Sequence, residues 1–115
     1  MGGSEKDSQA EEKKTYHILI KPRARQNLQE AYDWYEDRED GLGERFKDAF
    51  DDGCSRVQSD PFRPALIYRD VRRLLFKKFP YHIYYRVTGE TIKILTVVHA
   101  SRAERHWKRH VRENQ

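Results

Sequence analysis

The side chains in this 115-residue sequence that could do chemistry lie mostly in its second half. His82 and His99 can exchange a proton near neutrality, where an unperturbed imidazole titrates. Arg72, Arg86 and Arg102 carry planar guanidinium groups able to grip a phosphate through two hydrogen bonds. Together these types suit phosphodiester cleavage by an adjacent hydroxyl. That reaction needs a base for the hydroxyl proton, cations to hold the phosphate as charge builds, and an acid for the leaving oxygen. Spacing restricts the idea. On an extended strand His82 and Arg86 share a face but stand roughly 13 Å apart, so a neighbouring strand must fill the gap before both serve one phosphate. The competing readings are a surface polar role for His82 and a structural hydrogen bond at a strand end for His99.

Other constellations are weaker. His106 and His110 have the i, i+4 spacing of a helical metal pair, but no cysteine or carboxylate stands at a matching third position, and no metal is expected. Signatures for a phosphate-cradling glycine loop or a Ser-His-Asp arrangement are absent, and no cofactor is expected. Cys54 is the single cysteine. It follows Phe50 by four residues and precedes Val57 by three, the spacing of a buried structural thiol in a reducing compartment.

The elements that must position these groups follow from hydrophobic period. Residues 71–99 hold three runs rich in β-branched and aromatic residues, each alternating apolar with polar side chains. Ile83, Tyr85 and Val87 fall on one face of the middle run, and His82, Tyr84 and Arg86 on the other. The turns between runs, Phe79-Pro80-Tyr81 and Thr88-Gly89-Glu90, are short enough to join only antiparallel neighbours. A three-stranded meander is therefore predicted, with Arg72, Arg73, Lys77, Lys78, Arg86 and Lys93 on its outer faces. Upstream, Tyr16, Ile18 and Ile20 alternate with His17 and Leu19 in a first strand that Lys21-Pro22 stops. From Arg23 the period becomes helical: Ala24, Leu28, Ala31, Tyr32 and Tyr35 form one stripe, ending near Arg38. After Asp40-Gly41 a second stripe runs through Leu42, Phe46, Ala49, Phe50, Gly53 and Val57 and stops before Pro61. So short a link makes the pair an antiparallel hairpin, whose stripes must be buried on the inner face of the meander. Trp34 lies off the main stripe, at a hairpin edge or a partner contact. Residues 65–68 read as a short strand or extended linker, and residues 100–112 as a turn followed by a short basic helix or arm with Trp107 packing back on the body.

Composition sets the frame. The chain is long enough for one core: residues 1–14 are expected to be a disordered polar tail and residues 15–112 a single α+β domain. No apolar run approaches the ~20 residues of a membrane span, and the start lacks the apolar core of a signal peptide, so a cytoplasmic protein without a membrane partner is expected. Charge is unevenly distributed. Residues 1–60 hold 10 Lys/Arg against 15 Asp/Glu, whereas residues 61–115 hold 13 against 4. A basic working surface on a less basic support suits nucleic acid or an acidic protein segment, the bland alternative being a solvated basic sheet.

Three stretches in this order, G-L-G-E-R-F-K-D-A-F, V-R-R-L-L-F-K-K-F-P-Y-H-I-Y-Y-R-V and H-A-S-R-A-E-R-H-W-K-R, resemble the ParE/RelE superfamily of bacterial type II toxin–antitoxin toxins. The resemblance covers roughly residues 16 to 110 and is to the ParE-like branch. It implies an N-terminal strand, a two-helix hairpin packed on an antiparallel meander, and a cognate antitoxin that masks the toxin. A homodimer, or a heterotetramer with the antitoxin, is compatible with it. Antitoxin contacts would fall on Leu28, Tyr32, Trp34 and Tyr35, with Phe46 and Phe50 as core alternatives. Target contacts would fall on Arg72, Lys78, Arg86, Arg102, Trp107 and Arg109. RelE-type members cut messenger RNA in the ribosome, whereas ParE-type members poison DNA gyrase. Matched to the ribonuclease pattern, the first basic position is Arg72 or Lys78, His82 stands where an arginine is usual, Arg102 matches the second arginine, and Trp107 replaces the terminal tyrosine. An indole cannot donate or accept a proton as a phenol does. The implied function is a ParE-like inhibitor of gyrase or a similar target, acting by protein binding and not as an enzyme. The alternatives are a ribosome-dependent endonuclease using Arg72, His82 and Arg102, or a degenerate toxin with a binding or regulatory role.

Overall fold

Alternation of Ile18 and Ile20 with His17 and Leu19 produces strand β1, His17–Ile20. Its isoleucines face the core while Leu19 is 47% exposed. The computed structural model describes residues 15–102. Pro22 opens helix α1, Pro22–Arg38, at a position whose N–H has no intrahelical partner in any case. Helix α2, Leu42–Ser59, follows after three residues. The reversal depends on Gly41, at φ 87°, and on Glu36. The Glu36 carboxylate accepts hydrogen bonds from the Gly41 N–H at 3.0 Å and the Gly43 N–H at 3.0 Å, so a side chain of one helix caps the next. A Cβ on Gly43 would lie 2.9 Å from the Tyr32 carbonyl oxygen. Glycine there lets the two helices approach.

Strands β2 (Leu66–Tyr68), β3 (Val71–Leu75), β4 (Tyr81–Thr88) and β5 (Thr91–His99) complete a five-stranded sheet in the order β1-β5-β4-β3-β2. The predicted meander is β3-β4-β5, antiparallel throughout. Strand β1 joins β5 in parallel, Ile18 opposite Ile92 and Ile20 opposite Ile94. Because β1 is short, the far end of β5 is left to α1. Asn27 Oδ1 accepts hydrogen bonds from the Val97 N–H at 3.0 Å and Thr96 Oγ1 at 2.7 Å. A register shift opposite Tyr84 and Tyr85 leaves Leu95 as the extra residue of a bulge and changes the phase of alternation. Ile92, Ile94 and Val97 consequently belong to the helix-side core, while Leu95 and Val98 pack on the other face.

The helix-side core is aromatic. Phe46 stacks between Tyr35 and Phe76, with centroids 5.4 and 5.3 Å away, and Tyr81 meets it edge-on at 5.0 Å. Each large side chain buried here stabilises the fold by roughly 1.5–3 kcal/mol. The opposite sheet face differs from the sequence expectation. In place of a uniformly basic surface it carries a second buried cluster of Val71, Tyr84, Leu95 and Val98, with Ile67 and Tyr68 packed against it. Apolar residues on both faces of β4 and β5 need cover on both sides, which a one-sided reading of the alternation misses.

The β2–β3 hairpin turns at Arg69-Asp70. Arg69 adopts φ 53°, a left-handed conformation that costs an L-residue about 1–2 kcal/mol. Its guanidinium lies 5.1 Å over the Tyr68 ring. Among the described residues no helix is long and apolar enough to cross a membrane.

Candidate functional site

A cleft of ≈ 420 Å³ opens between α1 and the meeting ends of β4 and β5. Its floor is Ala31, Tyr35, Tyr81 and Val97, and Trp34, Glu30, His99 and Arg102 stand around it. Helix period places these groups: Ala31 and Tyr35 lie on the buried stripe, and Trp34, one residue off it, is left 51% exposed. The indole meets the Tyr35 ring edge-on at 5.1 Å, and the Arg38 guanidinium covers it at 4.0 Å. An aromatic ring held flat by an arginine is a preorganised anchor for a partner.

The two phenols of this cleft stay protonated near neutrality. Burial pushes the Tyr81 phenol up to about 12, reinforced by its hydrogen-bonded neighbour Tyr35 and opposed by the charge of Arg102. Burial also raises Tyr35, partly offset by that hydrogen bond. His99 Nδ1 accepts the Ser101 N–H at 3.1 Å and lies 2.9 Å from Ser101 Oγ. This is the strand-end structural bond expected for it, and in the neutral ring it puts the proton on Nε2.

The predicted antitoxin contacts separate in kind. Trp34 is available and Tyr35 lines the cleft, but Leu28 packs against the core and the Tyr32 hydroxyl donates to Glu44 at 2.8 Å.

The predicted basic surface is redistributed. Arg72 pairs with Tyr85 across β3–β4 and so faces the helix side, contrary to its predicted outer position. Its Nη1 donates to the carbonyls of Phe62 at 2.8 Å and Pro64 at 2.7 Å, and the group lies 5.3 Å from the Phe62 ring. Tyr85, itself pushed up to about 12 by burial, donates its hydroxyl to the Pro61 carbonyl at 2.7 Å. Both side chains tie the 61–64 turn to the sheet. Lys77 and Lys78 line a second cleft of ≈ 610 Å³ beside α2, facing Asp48 and Asp52, so they also leave the predicted outer face. Arg86 stays on the outer face, where its Nε and Nη2 bind both carboxylate oxygens of Asp70 at 3.0–3.2 Å. Trp107, Arg109, His106 and His110 lie outside the described residues. Among the described residues no cluster of three His, Cys, Asp or Glu could hold a metal ion. Cys54 packs against the core, and burial pushes its thiol up to about 12.

His82 lies on the outer face, opposite Leu75 and Val98. Burial, and then the nearby charge of Arg73, lowers its pKa below the usual 6.5. The unfolded chain therefore takes up the proton more readily, and the associated stability is present above pH 6.5 and lost as pH falls through the folded value. A His82→Gln variant is expected to lose less stability than the parent on acidification from about pH 7.5 to 5. Parallel urea midpoints at the two pH values check this, and identical acid slopes would refute it.

Arg72, His82 and Arg102 are thus not assembled: one binds a turn on the helix side, one lies on the opposite face, and one borders the cleft. Asn27, Glu30 and Tyr81 are the cleft residues that sequence reasoning missed. Asn27 left a signal, being a short amide on the stripe formed by Ala24, Leu28 and Ala31.

A strand, a helical hairpin and a meander on which these groups are arranged define a RelE/ParE-like toxin fold. The chain is similar to a chain of the chromosomal ParDE toxin–antitoxin system from P. aeruginosa, with a TM-score of 0.57 and 23% identity over 74% of this chain and 96% of that one. It is also similar to a chain of the toxin–antitoxin complex RelBE2 from Mycobacterium tuberculosis, with a TM-score of 0.50 and 16% identity over 74% and 98%. The family model for the ParE toxin of the type II toxin–antitoxin system, parDE, matches residues 18–104. The chain therefore belongs to the ParE toxin family. A comparison with curated proteins gave no match.

Proposed function

We propose that this toxin acts by binding a protein, DNA gyrase or a similar replication target, and that its cognate antitoxin silences it by laying an amphipathic segment in the cleft beside α1. The observation that carries the reading is the separation of Arg72, His82 and Arg102. A ribonuclease must bring its base, its acid and its phosphate clamp to one scissile bond, and Arg72 is instead committed to the carbonyls of Phe62 and Pro64. Support for docking comes from the cleft itself, whose aromatic floor and exposed Trp34 suit the apolar stripe of a helix.

Purified toxin should abolish supercoiling by gyrase. Full supercoiling at saturating toxin rejects the gyrase target, and codon-linked cuts in translated messages would favour the ribonuclease. Growth unaffected by expression without antitoxin would leave only a regulatory role. For the antitoxin, Trp34→Ala is expected to weaken binding by about 2 kcal/mol, on the order of 30-fold. Calorimetry on folded variant and parent measures it, and an unchanged affinity would remove Trp34 from the interface.

A further inference from the structure

Strand β1 ends the sheet, and the bonds that tie it to β5 fix which of its backbone groups point where. The His17 N–H donates to the Glu90 carbonyl at 2.8 Å and the Lys21 N–H to the Ile94 carbonyl at 2.9 Å. Backbone direction alternates along a strand, so His17, Leu19 and Lys21 turn their amides and carbonyls toward β5, and Tyr16, Ile18 and Ile20 turn theirs outward. The Tyr16 carbonyl accepts Gln58 Nε2 at 2.9 Å, and Pro22 has no N–H to give. The open edge therefore presents one donor and one acceptor on each of Ile18 and Ile20. Between them stands Leu19, whose side chain is 47% exposed.

This edge is complementary to itself. A second copy of β1, antiparallel and centred on Leu19, sets Ile18 against the partner's Ile20 and Ile20 against the partner's Ile18, so that every one of these groups pairs. The two Leu19 side chains meet on the outer face at the two-fold axis, as a non-hydrogen-bonded pair with Cα atoms roughly 4.5 Å apart. At each end Pro22 stands opposite the partner's Tyr16, and neither brings a backbone group in need of a bond. Neighbouring centres fit less well. Centred on Ile20, the pairing sets the Ile18 carbonyl against Pro22, and centred on Ile18, it sets the Ile20 N–H against a Tyr16 carbonyl that Gln58 already holds. The other edge of the sheet offers no such ladder: β2 has three residues, its register shifts between Leu66 and Tyr68, and Arg69 follows at φ 53°, features that blunt an edge.

We propose that the chain pairs with a second copy of itself through β1, joining two sheets edge to edge. An isologous contact of this kind closes at two copies. Charge does not drive it. Leu19 lies beside Lys93 on the outer face, Lys21 follows in the chain, and the two-fold axis brings the cations of the two copies toward each other. A ladder this short also falls under the ~1,000 Å² expected of a stable interface, so the dimer is weak and concentration-dependent. No residue of β1 lines the cleft beside α1, which keeps the pairing separate from the antitoxin contact.

Sedimentation velocity of the full chain over a dilution series should resolve monomer and dimer. Leu19→Lys should weaken the dimer about tenfold or more, because it sets like charges directly opposite each other, while melting near the parent temperature in dilute solution. Cross-linking reads the register. Under a mild oxidant Leu19→Cys should form a disulfide-linked dimer, since the spacing across the axis is within disulfide reach. His17→Cys should not, its two copies standing roughly 14 Å apart, and neither should the parent, whose Cys54 packs against the core. Added salt should leave the dimer intact or tighten it. A chain monomeric at every concentration would overturn the proposal and leave the edge to a strand of another protein. Leu19→Lys dimerising as the parent does, His17→Cys linking as fast as Leu19→Cys, or dissociation by salt would each overturn it as well.

Discussion

Phe46→Ala is expected to destabilise the protein by about 3–5 kcal/mol, the cost of removing a buried aromatic ring and leaving its cavity. Phe46 is 1% exposed and is in ring contact with Tyr35, Phe76, Phe79 and Tyr81. These rings come from α1, β4 and the segment joining β3 to β4, so no single neighbour can relax into the gap without moving an element. Domains of this size have roughly 5–15 kcal/mol in total, which would leave the variant marginally folded at 37 °C. Urea denaturation measures the loss, and Phe46→Leu, which keeps much of the volume, should recover most of it. The functional consequence is specific. Tyr35 and Tyr81 form the cleft floor, and both lean on Phe46, so antitoxin affinity should fall even under conditions where Phe46→Ala stays folded. A loss below about 1 kcal/mol would mean that the aromatic cluster is not the keystone of the hairpin–sheet contact.

Arg72→Ala is expected to cost about 2–3 kcal/mol in stability. Hydrogen bonds to a charged donor contribute ~1.5–3 kcal/mol, and Arg72 makes two to carbonyls of the 62–64 turn. Partial exposure of the group, and the sharing of one nitrogen between both bonds, hold the expected loss at or just below the bottom of their combined range of roughly 3–6 kcal/mol. Arg72→Lys should restore only part, because both bonds come from one nitrogen, Nη1, and an ammonium on a flexible stem is not held there by a planar group lying over the Phe62 ring. Thermal melts of the three proteins test the order parent, Lys, Ala. A further readout separates the structural role from the catalytic one predicted by resemblance. If Arg72→Ala kept parental stability while message cleavage disappeared, the turn-tying role would be wrong and the ribonuclease reading would return.

These two residues also illustrate how far the sequence could be read. Phe46 was legible, because its place in the stripe of Leu42, Ala49 and Phe50 leaves one buried face for a helix of this length. Arg72 was not. Strand alternation tells which residues share a face but not which face meets the helices. A basic residue near charged neighbours was read as solvent-facing, when it in fact pairs with buried Tyr85. Trp34 was legible as off-stripe. Its exposure was decided by where α1 ends up relative to β5, and that follows from Asn27 holding the β5 edge.

What the sequence determined by itself was local and periodic: the first strand, the two helices with their breaks, and the meander. Those follow from backbone period, turn chemistry and side-chain type, which act over a few residues. Tertiary structure alone decided the parallel docking of β1 on β5, the bulge at Leu95, the second buried face, and the dispersal of Arg72, His82 and Arg102. Each of these depends on pairing between segments distant in the chain. A single shift of register there exchanges core for surface, and nothing in the local sequence specifies the partner strand.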